Sequence, residues 1–182
     1  MNQLINFWVN MITSFDITID DVPSKMKNAV IGELIKIGFI TDGDITSVKD
    51  AKISEMSYEC GLAIKKGFDL QLSDGSEHHF SLEVSDQLNI AKLNDMAISG
   101  VEELPYHADG EVCKFYSQED MMEINTKMQE HINFHTAYYN SMKEYVKSLN
   151  DINEIHNVHY GDEIPDAYQS EVLKSIYQQK ND

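Results

Sequence analysis

Residues 67–89, GFDLQLSDGSEHHFSLEVSDQLN, mark the point at which the spacing of apolar residues changes along the chain. Upstream, residues 46–66 repeat apolar side chains every three or four positions, as an amphipathic helix does. Within the stretch, apolar residues alternate with polar ones before Asp74-Gly75, and the alternation resumes after this pair. Alternation on both sides of an Asp-Gly pair predicts a β-hairpin that directly follows a helix.

The register of this hairpin can be derived from its apolar residues. A two-residue loop would oppose Phe68 to a serine, whereas a three-residue loop that ends in a left-handed Gly75 opposes Phe68 to Phe80. A slip of one residue turns a whole strand over, so the register that matches apolar with apolar should be favoured. We therefore expect the three-residue loop, with His78 directed inward and His79 outward.

A second Asp-Gly pair lies within residues 105–121, PYHADGEVCKFYSQEDM, and predicts a second hairpin. A three-residue loop at 108–110 places Tyr106 opposite Val112. Phe115 then lies on the outgoing strand and is expected to point inward.

A long helix should follow this hairpin. Ser117 and Asp120 are spaced almost as in a capping box, which predicts a helix start. Residues 118–149 then carry a row of apolar residues and one histidine from Met121 to Leu149, with a mean spacing near 3.5. This spacing is typical of the seam of a coiled coil or helix bundle. The helix either packs on its own domain or presents part of the seam to a second copy or a neighbouring protein.

Helices are also expected in the first part of the chain. Residues 2–13 form an amphipathic pattern, and Pro23 stands just before a second helical pattern that Gly38 should end. Residues 41–44 suit a linker. We therefore interpret residues 1–44 as a helical arm that docks onto a partner.

The predicted fold is α+β. A small antiparallel sheet, made of the two β-hairpins, packs against several helices, of which the longest is about 118–149. Residues 45–182 form this domain, with a further helix at about 85–98 and a C-terminal helix at about 166–179.

Composition narrows the classes of function. The chain has 182 residues, 42% of them hydrophobic, and a net charge of −17, and all 14 of its basic residues are lysines. Such an excess of negative charge disfavours nucleic-acid binding. No apolar run reaches the ~18 residues that span a membrane, and the first residues lack the pattern of a signal peptide. We expect a protein that is made in a cytoplasm and not inserted into a membrane.

Histidines are the main candidates for a metal site. His131 and His135 stand four apart and share one face of the predicted helix, and His78, His79 and His107 could add ligands from the hairpins. No glutamate follows His131 in the manner of a zinc protease. In the alternative interpretation, His135 is a histidine of the apolar core and His131 lies at its partly exposed flank. We assign no catalytic residue, cofactor or metal ligand.

Four phrases together resemble an uncharacterised domain family of phages and prophages of Gram-positive bacteria, encoded next to tail-fibre and baseplate genes. They are GFD…LSDG…HFSL…DQ.N, YHADGE.C.FYS..DM, a helix with spaced histidines, and YG..IP..YQSEVLK at residues 160–174. The similarity covers about residues 45–180. It implies a structural, protein-binding component of a phage or phage-derived tail, at the baseplate or the tail-fibre end, located in the virion tail.

The implied partners are other tail or baseplate proteins, with a homo-oligomer as a further alternative. Exposed apolar residues are costly on a free monomer, and the residues expected to bind a partner are Phe7, Trp8, Met11, Ile12, Met128, Ile132, Tyr139 and Met142. Deletion of residues 1–15 should then weaken incorporation into an assembly more than it unfolds the domain. Two other functions are kept as alternatives: a tail-fibre assembly chaperone absent from the mature particle, and a small metal-binding protein or metalloenzyme that uses His131 and His135.

Overall fold

The computed structural model describes residues 2–14, 16–37, 39 and 45–179. The α+β class is confirmed, because helices predominate and four short strands form two antiparallel pairs. The α-helices are α1 (Asn2–Thr13), α2 (Ser24–Lys36), α3 (Ile45–Lys66), α4 (Val84–Ile98), α5 (Gln118–Ser148), α6 (Ile152–His156) and α7 (Glu171–Gln179). The strands are β1 (Phe68–Gln71), β2 (Glu77–Phe80), β3 (Glu103–Tyr106) and β4 (Lys114–Ser117), and short 3-10 helices lie at Ile19–Asp21 and Asp166–Tyr168.

The chain forms two compact units. The first unit comprises Met1–Glu59 together with Tyr138–Asp182, and the second comprises Cys60–Ala137. These bounds differ from the predicted division after residue 44, because residues 45–59 and the C-terminal part of the chain belong to the same unit as the predicted arm. The expected helix end at Gly38 and the linker at 41–44 lie outside the described residues.

The first hairpin has the predicted register. Phe68 is opposite Phe80, Leu70 is opposite His78, and Gly75 has a φ of 82° in the loop. His78 is buried whereas His79 is partly exposed, as the alternation of β2 requires. The apolar residues of this stretch therefore determined both the loop length and the strand faces.

The second hairpin departs from the prediction. Tyr106 is opposite Lys114 rather than Val112, so the loop between β3 and β4 is longer than three residues. The two hairpins also form separate two-stranded sheets, not the single small sheet that was predicted. The longer loop contacts β2, where the Asp109 N–H donates to the His79 carbonyl oxygen at 2.9 Å.

Phe115 points outward, which contradicts the prediction that it enters the core. Its side chain is 68% exposed, whereas Tyr106 and Tyr116 are buried. Neighbouring residues of a strand face opposite sides. Because Tyr116 faces the core together with its partner-strand neighbour Leu104, Phe115 must face away from it.

Each unit has its own apolar core. The core of the second unit is built from both hairpins, from α4 and from the first half of α5, and Phe80, Leu82, Ile90, Leu104 and Met128 are among its buried members. In the first unit, Val9 and Ile12 of α1 pack with Val22, Val30 and Leu34. Helix α1 is therefore partly a core element and not only a projecting arm.

The long helix and the C-terminal segment follow the predictions in outline. Helix α5 spans Gln118–Ser148, and the Asp120 N–H donates to the Ser117 Oγ at 3.0 Å where the helix begins. The C-terminal helix predicted at about 166–179 is in fact two elements, a 3-10 turn and α7. The Ser170 N–H, which lies between these elements, donates instead to the Ser141 Oγ at 3.0 Å.

Candidate functional site

Helix α1 carries a row of apolar side chains that are partly or largely exposed, and one of them, Trp8, also packs against the core of its unit. Leu4 and Phe7 are 52% and 50% exposed, and Trp8 and Met11 are half-buried. These four residues are spaced by three or four positions, so they share one side of the helix. We call Leu4, Phe7, Trp8 and Met11 the α1 stripe.

The adjoining side of α1 is the buried one. Val9 and Ile12 belong to the core of the first unit, and Ile5 packs against it. Ile12, predicted to bind a partner, is therefore buried within the fold, and its role is core packing. Phe7 and Trp8 contact each other edge to face, with ring centroids 5.4 Å apart, so these two aromatic side chains form one apolar patch.

No residue of α1 carries a charged side chain, since its sequence is NQLINFWVNMIT. This is notable in a chain whose net charge is −17. Surfaces that bind proteins are depleted of charged residues at their centre and enriched in aromatic residues and Met. The α1 stripe has this composition.

A cleft of about 560 Å³ lies in the same unit, lined mainly by α2 and α3. The two helices come close at Gly32, where an added Cβ would be 3.4 Å from the Ala51 Cβ. Ile5 and Asn6 of α1 and His156 at the end of α6 complete the lining. Clefts of this size are typical of binding sites.

The charged groups around the cleft balance one another. Three lysines and three glutamates line it, namely Lys25, Lys36, Lys52, Glu33, Glu55 and Glu59. Two of these lysines form short ion pairs, Lys36 with Glu33 at 3.2 Å and Lys52 with Glu55 at 2.9 Å. The cleft is thus a surface without net formal charge.

Lys52 forms part of the wall of the cleft and is almost completely buried. Its Nζ donates to the carbonyl oxygens of His156 at 3.3 Å and Val158 at 3.0 Å. A buried charge is tolerated only when it is paired and hydrogen-bonded. Lys52 is therefore a structural link between α3 and the chain around the end of α6, and its ammonium group is already engaged.

His156 brings a neutral imidazole to the cleft. Burial lowers the pKa of this histidine, and the nearby charges of Lys52 and Lys36 lower it further. Its Nε2 is buried and has no hydrogen-bond partner among the residues that the structure describes. At neutral pH this side chain adds no charge to the cleft.

The predicted partner-binding residues of α5 lie mostly inside the fold. Met128 and Met142 are fully buried, Ile132 packs against the core of the second unit, and Tyr139 is half-buried. For Met128, Ile132 and Met142, these positions support the alternative in which the long helix packs on its own domain. Helix α5 therefore offers less apolar surface to a partner than its sequence pattern suggested.

The histidines of α5 form a close pair. The rings of His131 and His135 have centroids 4.5 Å apart, and the His131 Nε2 donates to the Ala63 carbonyl oxygen at 3.0 Å. Within residues 2–14, 16–37, 39 and 45–179, no three His, Cys, Asp or Glu side chains form a group that could hold a metal ion. The described residues thus provide no third ligand for this pair.

The hairpin histidines are used in contacts between secondary-structure elements. The His78 Nδ1 lies 2.5 Å from the Glu111 Oε1, and its Nε2 lies 2.6 Å from the Ser76 Oγ. The His79 Nδ1 contacts the Asp69 Oδ1 at 2.7 Å. The His107 Nδ1 is 3.3 Å from the carbonyl oxygen of the next residue. His78 and Glu111 thus hold the second loop against the first hairpin.

Sequence reasoning missed three residues of this region. Leu4 could have been recognised, because it lies one turn before Phe7 on an uncharged helix. Lys52 and His156 could not, because they are separated by 104 residues and only the fold brings them together. The α1 stripe was therefore predictable in large part and the cleft was not.

Among the described residues, no helix combines the length and apolar character needed to cross a membrane. Comparisons with protein-family models, with curated proteins and with solved structures each gave no match.

Proposed function

We propose that this protein is a structural, protein-binding component of a phage or phage-derived tail, at the baseplate or the tail-fibre end. The observation that carries the protein-binding role is the α1 stripe. Two large apolar side chains, Leu4 and Phe7, are half exposed on a helix that has no charged residue. The tail location is supported by the resemblance of the four sequence phrases.

A partner that covers the α1 stripe removes apolar surface from water. Exposed apolar surface contributes roughly 25 cal/mol per Å² when a partner covers it. Aromatic side chains at the centre of an interface commonly provide most of the binding free energy. Phe7 and Trp8, in edge-to-face contact at 5.4 Å, supply such a centre. The high net charge then keeps the rest of the chain soluble before assembly.

Mass spectrometry of purified particles tests the tail location. We expect the protein in particles from cells that carry its gene, at a fixed ratio to the other tail proteins. A tail-fibre assembly chaperone would instead be present in the producing cells and absent from the particles. Absence from the particles therefore overturns the structural role.

A pair of variants tests the surface. Leu4→Ser combined with Phe7→Ser should reduce the amount of protein in particles several-fold, because both side chains lie on the exposed side of α1. The matched control is Gln3→Ser, which changes an exposed polar residue of the same helix. Equal incorporation of the two variants would contradict the assignment of the stripe. Circular dichroism spectra should show that both variants are folded.

A further inference from the structure

We propose that the second unit carries a hydrolytic site in which Ser76 is the nucleophile, His78 is the general base and Glu111 orients the histidine. The class of substrate is a small, uncharged carboxylic ester. This activity is additional to the proposed function and does not depend on it, because none of the three residues belongs to the α1 stripe.

The three side chains are joined by two successive hydrogen bonds. The Ser76 Oγ lies 2.6 Å from the His78 Nε2, and the Nδ1 of the same ring lies 2.5 Å from the Glu111 Oε1. A serine in contact with a base, which is itself in contact with a carboxylate, is the arrangement that activates the serine in many hydrolases. Such sites are recognised by geometry and roles, whatever the order of their residues along the chain.

Glu111 determines which ring nitrogen of His78 carries the proton. A carboxylate can only accept hydrogen bonds, so the Nδ1 is the donor in this contact. In the neutral ring the Nε2 is then an acceptor, which is the state that a general base requires. The His78 side chain is only 7% exposed, so the base is held in a fixed position against the fold.

The loop of the first hairpin places Ser76 beside this acceptor. The Ser76 N–H donates to the Asp74 Oδ1 at 2.8 Å, and the Ser76 hydroxyl is also in hydrogen-bond contact with this oxygen. The hydroxyl proton thus has two acceptors, the carboxylate and the imidazole. The hydrogen bonds from Ser76 lower the pKa of Asp74 below its ordinary value. An imidazole is ordinarily the stronger base of the two, so proton transfer during the reaction goes to His78.

Lys114 supplies a positive charge at the same site. Its Nζ lies 3.3 Å from the His78 Nε2, the nitrogen that the Ser76 Oγ also contacts. Once the Nε2 has taken the serine proton, it no longer accepts a hydrogen bond from the ammonium group. The ammonium group is then available to the substrate oxygen on which negative charge develops, and stabilisation of this charge is commonly the largest contribution to acyl transfer.

The reaction is an acyl transfer in two steps. In the first step, the Ser76 Oγ forms a bond to the carbonyl carbon of the ester, its proton moves to the His78 Nε2, and the π electrons move to the carbonyl oxygen. The intermediate collapses as the bond to the alcohol breaks, and the alcohol leaves with the proton from the Nε2. Water then attacks the acyl-serine with the same transfers, which releases the carboxylic acid and restores the Ser76 hydroxyl.

The surroundings of Ser76 limit the substrate. The nearby carboxylates of Asp74, Glu77 and Glu111 outnumber the ammonium group of Lys114, so an anionic ester would be repelled. Ser76 is partly exposed in a hairpin loop, which suits a small acyl group that reaches the serine from solvent. An ester is favoured over an amide, because an alcohol is a better leaving group than an amine.

Hydrolysis of p-nitrophenyl acetate by the full chain tests the site. The natural chain should release p-nitrophenolate, and Ser76→Ala should lower kcat/KM at least about tenfold, because the nucleophile and its general base are uncoupled. The matched control is Ser73→Ala, which removes another exposed hydroxyl of the same loop and should keep the natural rate. Equal rates for Ser76→Ala and the natural chain overturn the inference.

A fluorophosphonate probe identifies the nucleophile in the natural chain, so this measurement does not depend on the folding of a variant. The activated Oγ displaces fluoride from phosphorus and forms a stable adduct. Peptide mapping by mass spectrometry should locate the adduct on Ser76. A chain that is not labelled, or is labelled only at other residues, overturns the inference.

Glu111 is a positioning residue, and its variants separate positioning from folding. Glu111→Gln should lower kcat about tenfold and leave KM unchanged, because the glutamine amide can donate to the Nδ1 and so favours the ring form whose Nε2 cannot act as a base. Glu111→Asp keeps the carboxylate and should retain more of the natural kcat. If Glu111→Gln, shown by circular dichroism to be folded, has the natural kcat, the role of Glu111 is overturned. An inactive chain that is still incorporated into particles overturns this inference but not the proposed function.

Discussion

The Nζ of Lys52 lies 3.0 Å from the carbonyl oxygen of Val158, and both residues are buried. This hydrogen bond connects α3 with a segment 106 residues later in the chain. The Glu55 Oε2, 2.9 Å from the same ammonium group, provides the opposite charge. Lys52 therefore supplies a polar link within the unit that contains the cleft.

Replacing Lys52 by Met should lower the free energy of unfolding by about 2–4 kcal/mol, because the carbonyl oxygens of His156 and Val158 lose their donor. Urea-induced unfolding measures the change. The control is Lys147→Met, which breaks an exposed pair with Glu144 and should cost less than about 0.5 kcal/mol. Equal effects of the two substitutions would show that Lys52 is not a structural link.

Gly67→Ala should be strongly destabilising. Gly67 has a φ of 76°, and a Cβ built at this position would lie 1.8 Å from the Phe80 carbonyl oxygen. Relief of this overlap requires the backbone to move, so we expect a loss of more than about 3 kcal/mol in the free energy of unfolding.

Gly75→Ala is the matched control for this substitution. Gly75 has a φ of 82°, but an added Cβ would meet no atom within 4 Å. Only the cost of the left-handed conformation remains, about 1 kcal/mol. Thermal or urea denaturation measures the loss of stability in both variants. A larger loss for Gly75→Ala than for Gly67→Ala would contradict the structure.

The sequence was sufficient to predict elements that depend on neighbouring residues. The register of the first hairpin was predicted because only one loop length opposes Phe68 to Phe80. The bounds of α1 and α3 were close to those expected, since helical periodicity and the residues that end helices are local signals.

The second hairpin could not be predicted in the same way. Its loop is joined to the first hairpin by Asp109, whose N–H donates to the His79 carbonyl oxygen and whose Oδ1 accepts from the Ser81 Oγ at 2.9 Å. These contacts join residues that are 28 or more positions apart, so no local sequence pattern indicates them. The same reason applies to the cleft, which requires α2, α3 and α6 to come together.

His79 and His156 should have pKa values on opposite sides of the ordinary histidine value. The hydrogen bond to the Asp69 carboxylate raises the pKa of His79, whereas burial and then Lys52 lower the pKa of His156. NMR spectra of the imidazole groups between pH 5 and 8 should therefore show His79 protonated at a pH at which His156 is already neutral. Asp69→Asn should lower the pKa of His79 and leave His156 unchanged. A reversed order of titration would contradict the two environments.

These shifts have opposite consequences for stability. The raised pKa of His79 contributes stability that is present below its unfolded-state pKa and is lost as the pH rises through the folded-state pKa. The lowered pKa of His156 means that the unfolded chain binds the proton more readily, so stability is lost as the pH falls below the ordinary histidine value of 6.5. His156→Gln should therefore flatten the loss of stability on acidification, as measured by urea unfolding at pH 5 and pH 7.

The two sides of α1 should respond differently to substitution. Val9 is buried in one core with Val30 and Leu34, so Val9→Ala should lower the free energy of unfolding by about 2 kcal/mol. Phe7→Ser, at a half-exposed position, should cost less than about 1 kcal/mol. Urea unfolding of both variants measures the difference.

The same packing changes the expectation for deletion of residues 1–15. Because Val9 and Ile12 are core residues, the deletion would expose Val30 and Leu34 and should destabilise the first unit, contrary to what the sequence pattern suggested. If the shortened protein unfolds at the same urea concentration as the full chain, then α1 is an independent arm and its packing against α2 contributes little. If it unfolds earlier, only the stripe substitutions can test partner binding, because they leave Val9 and Ile12 in place.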